Sequence, residues 1–322
     1  MSGQFICIPM DMRAFNRWAG HRGLIRRGTF DAGYALHVLL SATFGQSALQ
    51  PFRLFAPSRG RTATLYAYSK FDATALKRIA QDVGTPDCLG VVKPSVIQSK
   101  AMPMEFAHGR RLAFDVRVRP VRRLRNGFED SQSGRAYSKG AEVDAFFLNA
   151  VRLFPAGGVE ADKSAAAAGE TREVVYGKWL AERFGEAARI EECRLAAFSR
   201  SRTLRGDGVG PEGPDATLHG VLRVTTPERF PELLRKGVGR HKAFGFGMLL
   251  LRPNSSRPGV EAAAAIAVTA TATIPQLGFI HEDPGQCFCL TLLTCTATPS
   301  PFLLRFEPPK QVIPRLMETS SG

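Results

Sequence analysis

The sequence predicts an α+β chain in which two consecutive units repeat one βαββαβ order of elements. Strand-like and helix-like hydrophobic patterns alternate along residues 1–253. Helix-capping residues precede several predicted helices, and the element order of the first unit recurs in the second. The chain has 322 residues, of which 44% are hydrophobic, so it can form the cores of two domains.

The first unit begins with an apolar strand at residues 4–9, followed by a basic segment at 11–30 that is predicted as a loop. Asp31 can cap a helix over 32–43, in which leucines recur at apolar helical spacing. The remaining elements are strands at 51–56 and 63–68, a helix over 73–83 capped by Asp72, and a last strand near 88–93.

The second unit opens with a strand at 111–119, whose apolar residues alternate with Asp115, Arg117 and Arg119. The remaining elements are a helix over 171–185, strands near 189–199 and 217–225, a helix over 228–236 with Pro227 just before it, and a strand at 246–251. Two copies of this plan correspond to tandem ferredoxin-like domains, a fold that RNA-recognition (RRM-like) modules also use.

We expect an N-terminal domain at 1–95, a linker at 96–110 and a C-terminal domain at 111–253. The second domain carries an insertion at 120–170, with a polar loop, an apolar helix-like segment and an alanine-rich linker. Residues 254–322 show no regular hydrophobic period, so we expect a poorly structured C-terminal extension.

The net charge of the chain is +14, which suggests a polyanionic partner: nucleic acid first, an anionic membrane second. Beyond Pro253 there are four basic and five acidic side chains, so the excess positive charge lies before this point. The six cysteines form no CxxC pairs that would indicate structural zinc. The N-terminus does not resemble a signal peptide, and residues 262–280, interrupted by Pro275, are a poor membrane span. We therefore expect a cytoplasmic protein with no membrane partner.

The most informative motif is the glycine-rich loop GVGRHKAFGFG at residues 237–247, which precedes an apolar run. Glycine permits positive φ and close backbone approach, and successive N–H groups with basic side chains can bind a phosphate. Its spacing matches neither the dinucleotide fingerprint nor the Walker pattern. The alternative is a flexible connection between a helix and a strand. The candidate RNA contacts in this loop are Gly237, Gly239, Arg240, Lys242, Gly245 and Gly247.

Tyr34 and His37 are three residues apart on the first predicted helix and therefore share a face. Histidine has an unperturbed pKa near neutrality, and a tyrosine hydroxyl can donate or orient a hydrogen bond, so the pair could perform acid–base chemistry. The alternative is a half-buried aromatic pair that packs on a sheet.

Arginine clusters in the loops and on one strand supply further candidates for RNA binding. Such side chains contact phosphates and position a nucleic acid without reading its sequence. Each charge could equally belong to a solvated surface. The candidates are Arg22, Arg26, Arg27, Arg117, Arg119, Arg122, Arg123, Arg200 and Arg202.

The six histidines form no HxH or HxxxH pattern, so the sequence predicts no metal site and no cofactor. RNA cleavage without a metal would use the neighbouring 2′-hydroxyl as nucleophile and leave a 2′,3′-cyclic phosphate and a 5′-hydroxyl. This reaction needs a proton acceptor or donor, a group that orients the hydroxyl, and positive charge near the phosphorane.

The combination of motifs resembles the CasE family, the CRISPR repeat-processing endoribonucleases of type I-E Cascade systems. Tyr34-x-x-His37 resembles the catalytic Tyr-x-x-His of that family. The strand FDVRVRP at 114–120, followed by Val-Arg-Arg123, resembles its basic strand, and the loop at 237–247 resembles its glycine-rich signature. The resemblance extends in order from the N-terminus to Pro253, and the tail beyond departs from the family.

The resemblance implies a metal-independent endoribonuclease that binds the stem-loop of CRISPR repeat RNA and cuts at the 3′ base of the stem. It implies that the protein retains the mature guide RNA as a Cascade subunit, with the other Cascade proteins as partners and target DNA reached only through the complex. It also implies His37 as general acid or base, Tyr34 as its orienting partner, and Arg240 and Lys242 as backbone contacts. Some members use a further lysine, for which Lys178 is the nearest candidate without a motif match.

Two other functions are compatible with the same surface. A non-catalytic RNA-hairpin-binding subunit of a ribonucleoprotein complex would bind the stem without cutting it. A structural subunit of a ribonucleoprotein filament would bind RNA according to its length, whether or not it contains a hairpin.

Overall fold

In the computed structural model, two four-stranded antiparallel sheets carry helices, so the α+β class with two ferredoxin-like units is confirmed. The described residues are 3–26, 29–56, 62–130, 134–153, 168–205 and 208–254. The predicted extension after Asn254 and the candidate contact Arg27 lie outside them. No helix in the described ranges is long and apolar enough to cross a membrane.

The first unit forms a sheet with the order β4-β5-β1-β6, which is the ferredoxin-like arrangement. Asp31 and Asp72 cap their helices through side-chain oxygens, as predicted. The elements are β1 Gln4–Asp11, α1 Met12–His21, β2 Ile25–Arg26, β3 Thr29–Phe30, α2 Ala32–Phe44, β4 Phe52–Phe55, β5 Thr62–Ser69, α3 Ala73–Val83, α4 Pro86–Leu89 and β6 Gln98–Ala101.

The loop prediction for residues 11–30 is wrong, because its first half forms α1. The Asp11 carboxylate accepts hydrogen bonds from the N–H groups of Arg13 and Ala14, which caps the helix. Phe15, Trp18 and Ala19 are buried on one face of this helix, with basic residues between them. The high density of charge in this segment obscured an apolar stripe at ordinary helical spacing.

The strand prediction near 88–93 is also wrong. Cys88 is buried within the short helix α4, and the last strand of the sheet is β6, which lies inside the range predicted as a linker. β6 has the sequence QSKA and pairs with β1 at the sheet edge. An edge strand of this kind is stabilised by backbone pairing and carries no hydrophobic pattern that the sequence could reveal.

The second unit repeats the plan with the sheet order β12-β13-β7-β14. The insertion adds two small strand pairs, β8 with β11 and β9 with β10, and the apolar helix-like segment forms α5. The elements are β7 Arg111–Val118, β8 Val121–Arg123, β9 Phe128–Asp130, β10 Arg135–Tyr137, β11 Glu142–Asp144, α5 Ala145–Leu153, α6 Arg172–Phe184, β12 Ala188–Arg205, β13 Gly208–Val224, α7 Phe230–Lys236 and β14 Leu249–Pro253.

Two predicted boundaries in this unit move. The strands β12 and β13 are much longer than their hydrophobic stretches, because they form a hairpin that extends past the sheet. The helix predicted from Pro227 starts at Phe230, with a proline in its first turn, and Pro227 lies in the preceding turn.

The two units share buried surface. One core cluster contains Phe5, Tyr66 and Tyr68 of the first sheet together with Phe114 and other residues of the second unit. The hydroxyl of Tyr68 donates a hydrogen bond to the backbone carbonyl of Leu249, at 2.6 Å. The packing therefore fixes the first sheet against the second.

A buried ion pair crosses the same junction. Arg53 on β4 pairs with Asp115 on β7, and their side chains are only 9% and 4% exposed. Nε2 of His219 lies 2.8 Å from the other carboxylate oxygen of Asp115. Burial opposes ionisation of Asp115, but the hydrogen bond from His219 and the charge of Arg53 outweigh it and lower the pKa of this carboxyl.

We expect Arg53→Leu to lower the free energy of unfolding by about 3–5 kcal/mol, because it leaves a buried carboxylate without its guanidinium. Urea unfolding followed by fluorescence measures this change. The control is Arg229→Ala, since Arg229 pairs with Glu186 on the surface, where such a pair contributes about 0–1 kcal/mol. Equal losses in the two variants would show that the buried pair does not stabilise the junction.

Candidate active site

The predicted pair Tyr34 and His37 lies on α2, one turn apart, with both side chains partly buried. The helix begins where it does because Oδ1 of Asp31 accepts a hydrogen bond from the N–H of Tyr34, at 3.0 Å. Leu36 and the neighbouring leucines of α2 are buried in the core of the first unit. The apolar face thus orients the helix and leaves Tyr34 and His37 at its edge.

The glycine-rich loop of the second unit covers this edge of α2. A 3₁₀ turn at Lys242–Phe244 places the ring of Phe244 beside both candidate catalytic side chains. The ring centroids are 6.3 Å apart for Tyr34 and Phe244, which stack, and 5.3 Å apart for His37 and Phe244, which meet edge to face. Elements from both units therefore form the site.

Gly33 makes this close approach feasible. A Cβ atom at this position would lie 2.4 Å from the carbonyl oxygen of Phe244, and so a side chain there would push the loop backbone away from α2. The contact between loop and helix is thus one of backbone against backbone. It accounts for the glycine three positions after Phe30, in the first turn of an otherwise apolar helix.

Glu142 of the insertion also anchors the loop. Its Oε1 lies 2.6 Å from Nε of Arg240, and its Oε2 lies 2.7 Å from Nε2 of His241. Burial opposes ionisation of Glu142, but the hydrogen bond from His241 and the charges of both partners outweigh it and lower its pKa. Arg240, a predicted RNA contact, is thus already paired, although its side chain remains 53% exposed.

The four loop glycines all have positive φ, and each faces protein atoms at close range. A Cβ on Gly247 would lie 2.2 Å from the carbonyl oxygen of Val238, so no side chain fits there. The nearest neighbours of the other three are Gly247 O and Pro51 for Gly237, Trp179 for Gly239, and Phe52 for Gly245. Close packing within the protein therefore explains these glycines, and contact with RNA stays a prediction.

Lys242 is the loop cation best placed to meet an anion. It lies in the 3₁₀ turn next to the Tyr34 and His37 site, and no ion-pair partner is found for it within the part of the chain that the structure describes. Burial, and to a lesser degree the charge of Lys236, lowers its pKa.

His37 borders a small cleft of about 10 Å³ between α2 and the residues that lead into β4. Polar groups from Ser41, Ser47 and Gln50 line the cleft, and Ala243 of the loop closes one side. Burial lowers the pKa of His37 below the ordinary value of 6.5. A histidine with a lowered pKa is neutral at pH 7 and can accept a proton.

Two of the predicted RNA contacts on β7 and just after it are engaged inside the protein. Arg117 donates from Nε and Nη2 to the carboxylate of Asp215, and its guanidinium lies 4.5 Å from the ring centroid of Phe246. Arg119 is buried and donates to the backbone carbonyl and hydroxyl of Ser201. Both side chains hold β13, the long hairpin and the loop in place.

The remaining predicted arginine contacts whose side chains the structure describes lie nearer to solvent. Arg202 is exposed, whereas the side chain of Arg26 lies outside the described set. Lys178, the candidate for a further catalytic lysine, pairs with Glu170 at 2.7 Å. The other exposed arginines also have partners: Arg22 with Asp87, Arg122 with Glu182, Arg123 with the carbonyl of Gly140, and Arg200 with Glu212.

Sequence reasoning missed Phe244 and Glu142, the two residues that complete the site. Phe244 lies inside the quoted loop motif, where an aromatic residue beside glycines was a usable signal for packing. No sequence pattern pointed to Glu142, because its contacts with Arg240 and His241 join residues almost one hundred positions apart.

We expect Gly247→Ala to destabilise the protein by more than the cost of a left-handed alanine, about 1–2 kcal/mol, because its Cβ would also clash with the Val238 carbonyl. Gly109→Ala is the matched control, since Gly109 has a similar φ of +76° and a Cβ added there would meet no atom within 4 Å. Urea unfolding of both variants gives the comparison. The same loss in both would contradict tight packing at Gly247.

We expect His37 to titrate below 6.5 in the folded protein, because burial disfavours its charged form. In urea its pKa should return to about 6.5. Since the folded pKa is the lower one, His37 favours unfolding increasingly as the pH falls below 6.5. NMR titration of labelled histidine rings tests this, and a folded pKa at or above the urea value would refute it.

The chain is similar to known CRISPR-associated proteins. A family model described as CRISPR associated protein matches residues 7–253. The Cascade subunit CasE of Escherichia coli (strain K12) is 31% identical over 75 residues, which cover 23% of this chain and 37% of that protein, so the match spans little more than a third of the relative's length.

Two solved structures also align with the chain. One is Cse3 of Thermus thermophilus bound to an RNA representing a pre-cleavage complex, with 17% identity and a TM-score of 0.48 over 79% of this chain and 100% of that one. The other is the CRISPR-associated protein Cas6e from Escherichia coli str. K-12, with 16% identity and a TM-score of 0.44 over 79% and 100%. The family model matches well over half of the residues of this chain. The chain therefore belongs to the CRISPR-associated protein family, as its resemblance to CasE predicts.

Proposed function

We propose that the chain is a metal-independent endoribonuclease that binds the stem-loop of CRISPR repeat RNA and cleaves it at the 3′ base of the stem. The observation that carries this proposal is the position of Tyr34 and His37 beneath the basic, glycine-rich loop of the second unit. Membership of the CRISPR-associated family supports repeat RNA as the substrate. Cse3 of Thermus thermophilus, one of the similar structures, is described as bound to an RNA that represents a pre-cleavage complex.

In the proposed reaction, neutral His37 accepts the proton of the 2′-hydroxyl next to the scissile phosphate. The 2′-oxygen forms a bond to phosphorus, the bond from phosphorus to the 5′-oxygen breaks, and the leaving oxygen takes up a proton. The products are a 2′,3′-cyclic phosphate and a 5′-hydroxyl. Tyr34 orients the reacting groups by a hydrogen bond from its hydroxyl. General base assistance of this kind contributes about 10²–10⁴-fold to the rate.

Positive charge at the loop stabilises the phosphorane. Lys242 lies in the turn beside the catalytic pair, while Arg240 keeps about half of its side chain exposed for the RNA backbone. Electrostatic stabilisation of this kind acts only where the donors already point at the developing charge. Glu142 supports this role, because it holds Arg240 in place and fixes the residue before Lys242.

The exposed arginines outside the loop supply the surface for the RNA stem. Arg200 and Arg202 lie on the long hairpin β12–β13, and Arg122 lies on β8. We propose that these side chains bind the backbone of the repeat hairpin, and that the protein then stays with the guide RNA as a Cascade subunit. Target DNA is reached only through the complex, and the protein acts in the cytoplasm. The curated relative from Escherichia coli is itself named a Cascade subunit.

We expect His37→Ala to lower the single-turnover rate of hairpin cleavage by about 10²–10⁴-fold, because the reaction loses its base. Hairpin affinity should persist, EDTA should leave the wild-type rate unchanged, and a 2′-deoxy nucleotide at the cut site should block cleavage. Gel analysis of end-labelled repeat RNA, with identification of the cyclic phosphate, measures each of these. His108→Ala, an exposed histidine in a turn, is the control.

Loss of cleavage in EDTA or full activity of His37→Ala would refute the proposal. Tight binding of the hairpin without cleavage by the wild-type protein would instead support a non-catalytic RNA-hairpin-binding subunit. Competition between a hairpin and a linear RNA of the same length separates both from a filament subunit.

A further inference from the structure

The two carboxylate oxygens of Glu142 contact two adjacent residues of the glycine-rich loop. Arg240 lies on Oε1 and His241 on Oε2, at 2.6 and 2.7 Å. Glu142 itself is held on strand β11, where it pairs with Arg123 of β8 in the insertion. Its side chain is 18% exposed, and that of His241 only 7%. His241 is therefore an internal partner of Glu142 and not a surface cation available to phosphate.

One of these two residues, His241, has an unfavourable backbone conformation. His241 has φ +61° and ψ 26°, the left-handed conformation, which a side chain with a Cβ disfavours. Its carbonyl accepts the hydrogen bond from the N–H of Phe244 that closes the 3₁₀ turn. The contact with Glu142 thus holds the residue that starts the turn in this conformation.

The 3₁₀ turn connects His241 to the catalytic pair through contacts between aromatic rings. The ring centroids of His241 and Phe244 are 6.2 Å apart. The ring centroid of Phe244 lies 5.3 Å from that of His37 and 6.3 Å from that of Tyr34. The carbonyl of Phe244 also lies against Gly33, so the turn cannot move toward α2. A continuous series of contacts therefore runs from Glu142 to His37.

We propose that Glu142 is a positioning residue for cleavage, acting through His241 and Phe244 on the rings of His37 and Tyr34. The insertion then serves the chemistry of the first unit, since it supplies the carboxylate that holds the turn in place. The kinetic part of this inference rests on the proposed endoribonuclease activity. Its structural part, the dependence of the His37 environment on Glu142, does not.

Glu191 provides a closely matched control. Its carboxylate also bridges two cations, Arg111 at 2.6 Å and Arg223 at 2.5 Å, and its side chain is 19% exposed. These three residues lie on β7, β12 and β13 of the second sheet. Glu191→Ala removes the same kind of ion pair as Glu142→Ala without touching the glycine-rich loop.

The structural arm of the test uses RNA-free protein with labelled histidine rings. The ring signals of His37, assigned with His37→Ala, should shift in Glu142→Ala and in Phe244→Leu, and should stay in place in Glu191→Ala. Phe244→Leu removes the ring next to His37 and tests only the last contact of the series. Glu142→Gln keeps the size of the side chain and tests the link to Glu142 if Glu142→Ala fails to fold. Unchanged His37 signals in Glu142→Ala or in Phe244→Leu would overturn the inference.

The kinetic arm measures single-turnover cleavage of the repeat hairpin at saturating protein. We expect Glu142→Ala to lower the rate at least about tenfold while the hairpin Kd changes by less than about threefold, because misplacing a catalytic group reduces turnover more than binding. Glu142→Gln, which keeps one acceptor oxygen, should recover part of the rate. A wild-type rate in Glu142→Ala, or a loss confined to Kd, would overturn the inference. If His37→Ala also cleaves normally, the proposed function fails instead.

Discussion

The contact between the backbone of the glycine-rich loop and the first turn of α2 is the constraint on which the site depends. It joins a helix of the first unit to a loop of the second at a distance that only glycine at position 33 permits. Such a contact needs the two units to keep one relative orientation. The shared core cluster, the hydrogen bond from Tyr68 and the buried pair of Arg53 with Asp115 supply that orientation.

The positive charge of the chain divides into two populations with different roles. Arg53 and Arg119 are buried and Arg117 is half-buried, and all three bond to other residues of the protein and so hold sheets, hairpin and loop in register. Arg202 and Lys242 instead lack partners among the described side chains. Net charge alone therefore overstates the surface available to RNA, because several arginines bond to groups of the protein itself.

Local signals explain what the sequence predicted well. Asp31 and Asp72 mark their helices because a cap acts within three residues, and Tyr34 and His37 share a face because helical spacing is local. The helix α1 was missed since charge masked its apolar stripe. The strand β6 and the partners of Arg117 could not be predicted, because both depend on which face of which sheet meets another element. The same holds for the Glu142 contacts, which exist only in the folded insertion.

Gly33 and Phe244 lie far apart in the chain, yet no side chain can be added at one without displacing the backbone of the other. Replacement of this glycine by any other residue would therefore require the loop backbone to move away from the helix. The two halves of the molecule, although they repeat one plan, therefore fit together only while the helix keeps a residue without a side chain at this position. A hybrid built from the first half of one protein and the second half of another would therefore keep this seam only if its helix carried glycine here.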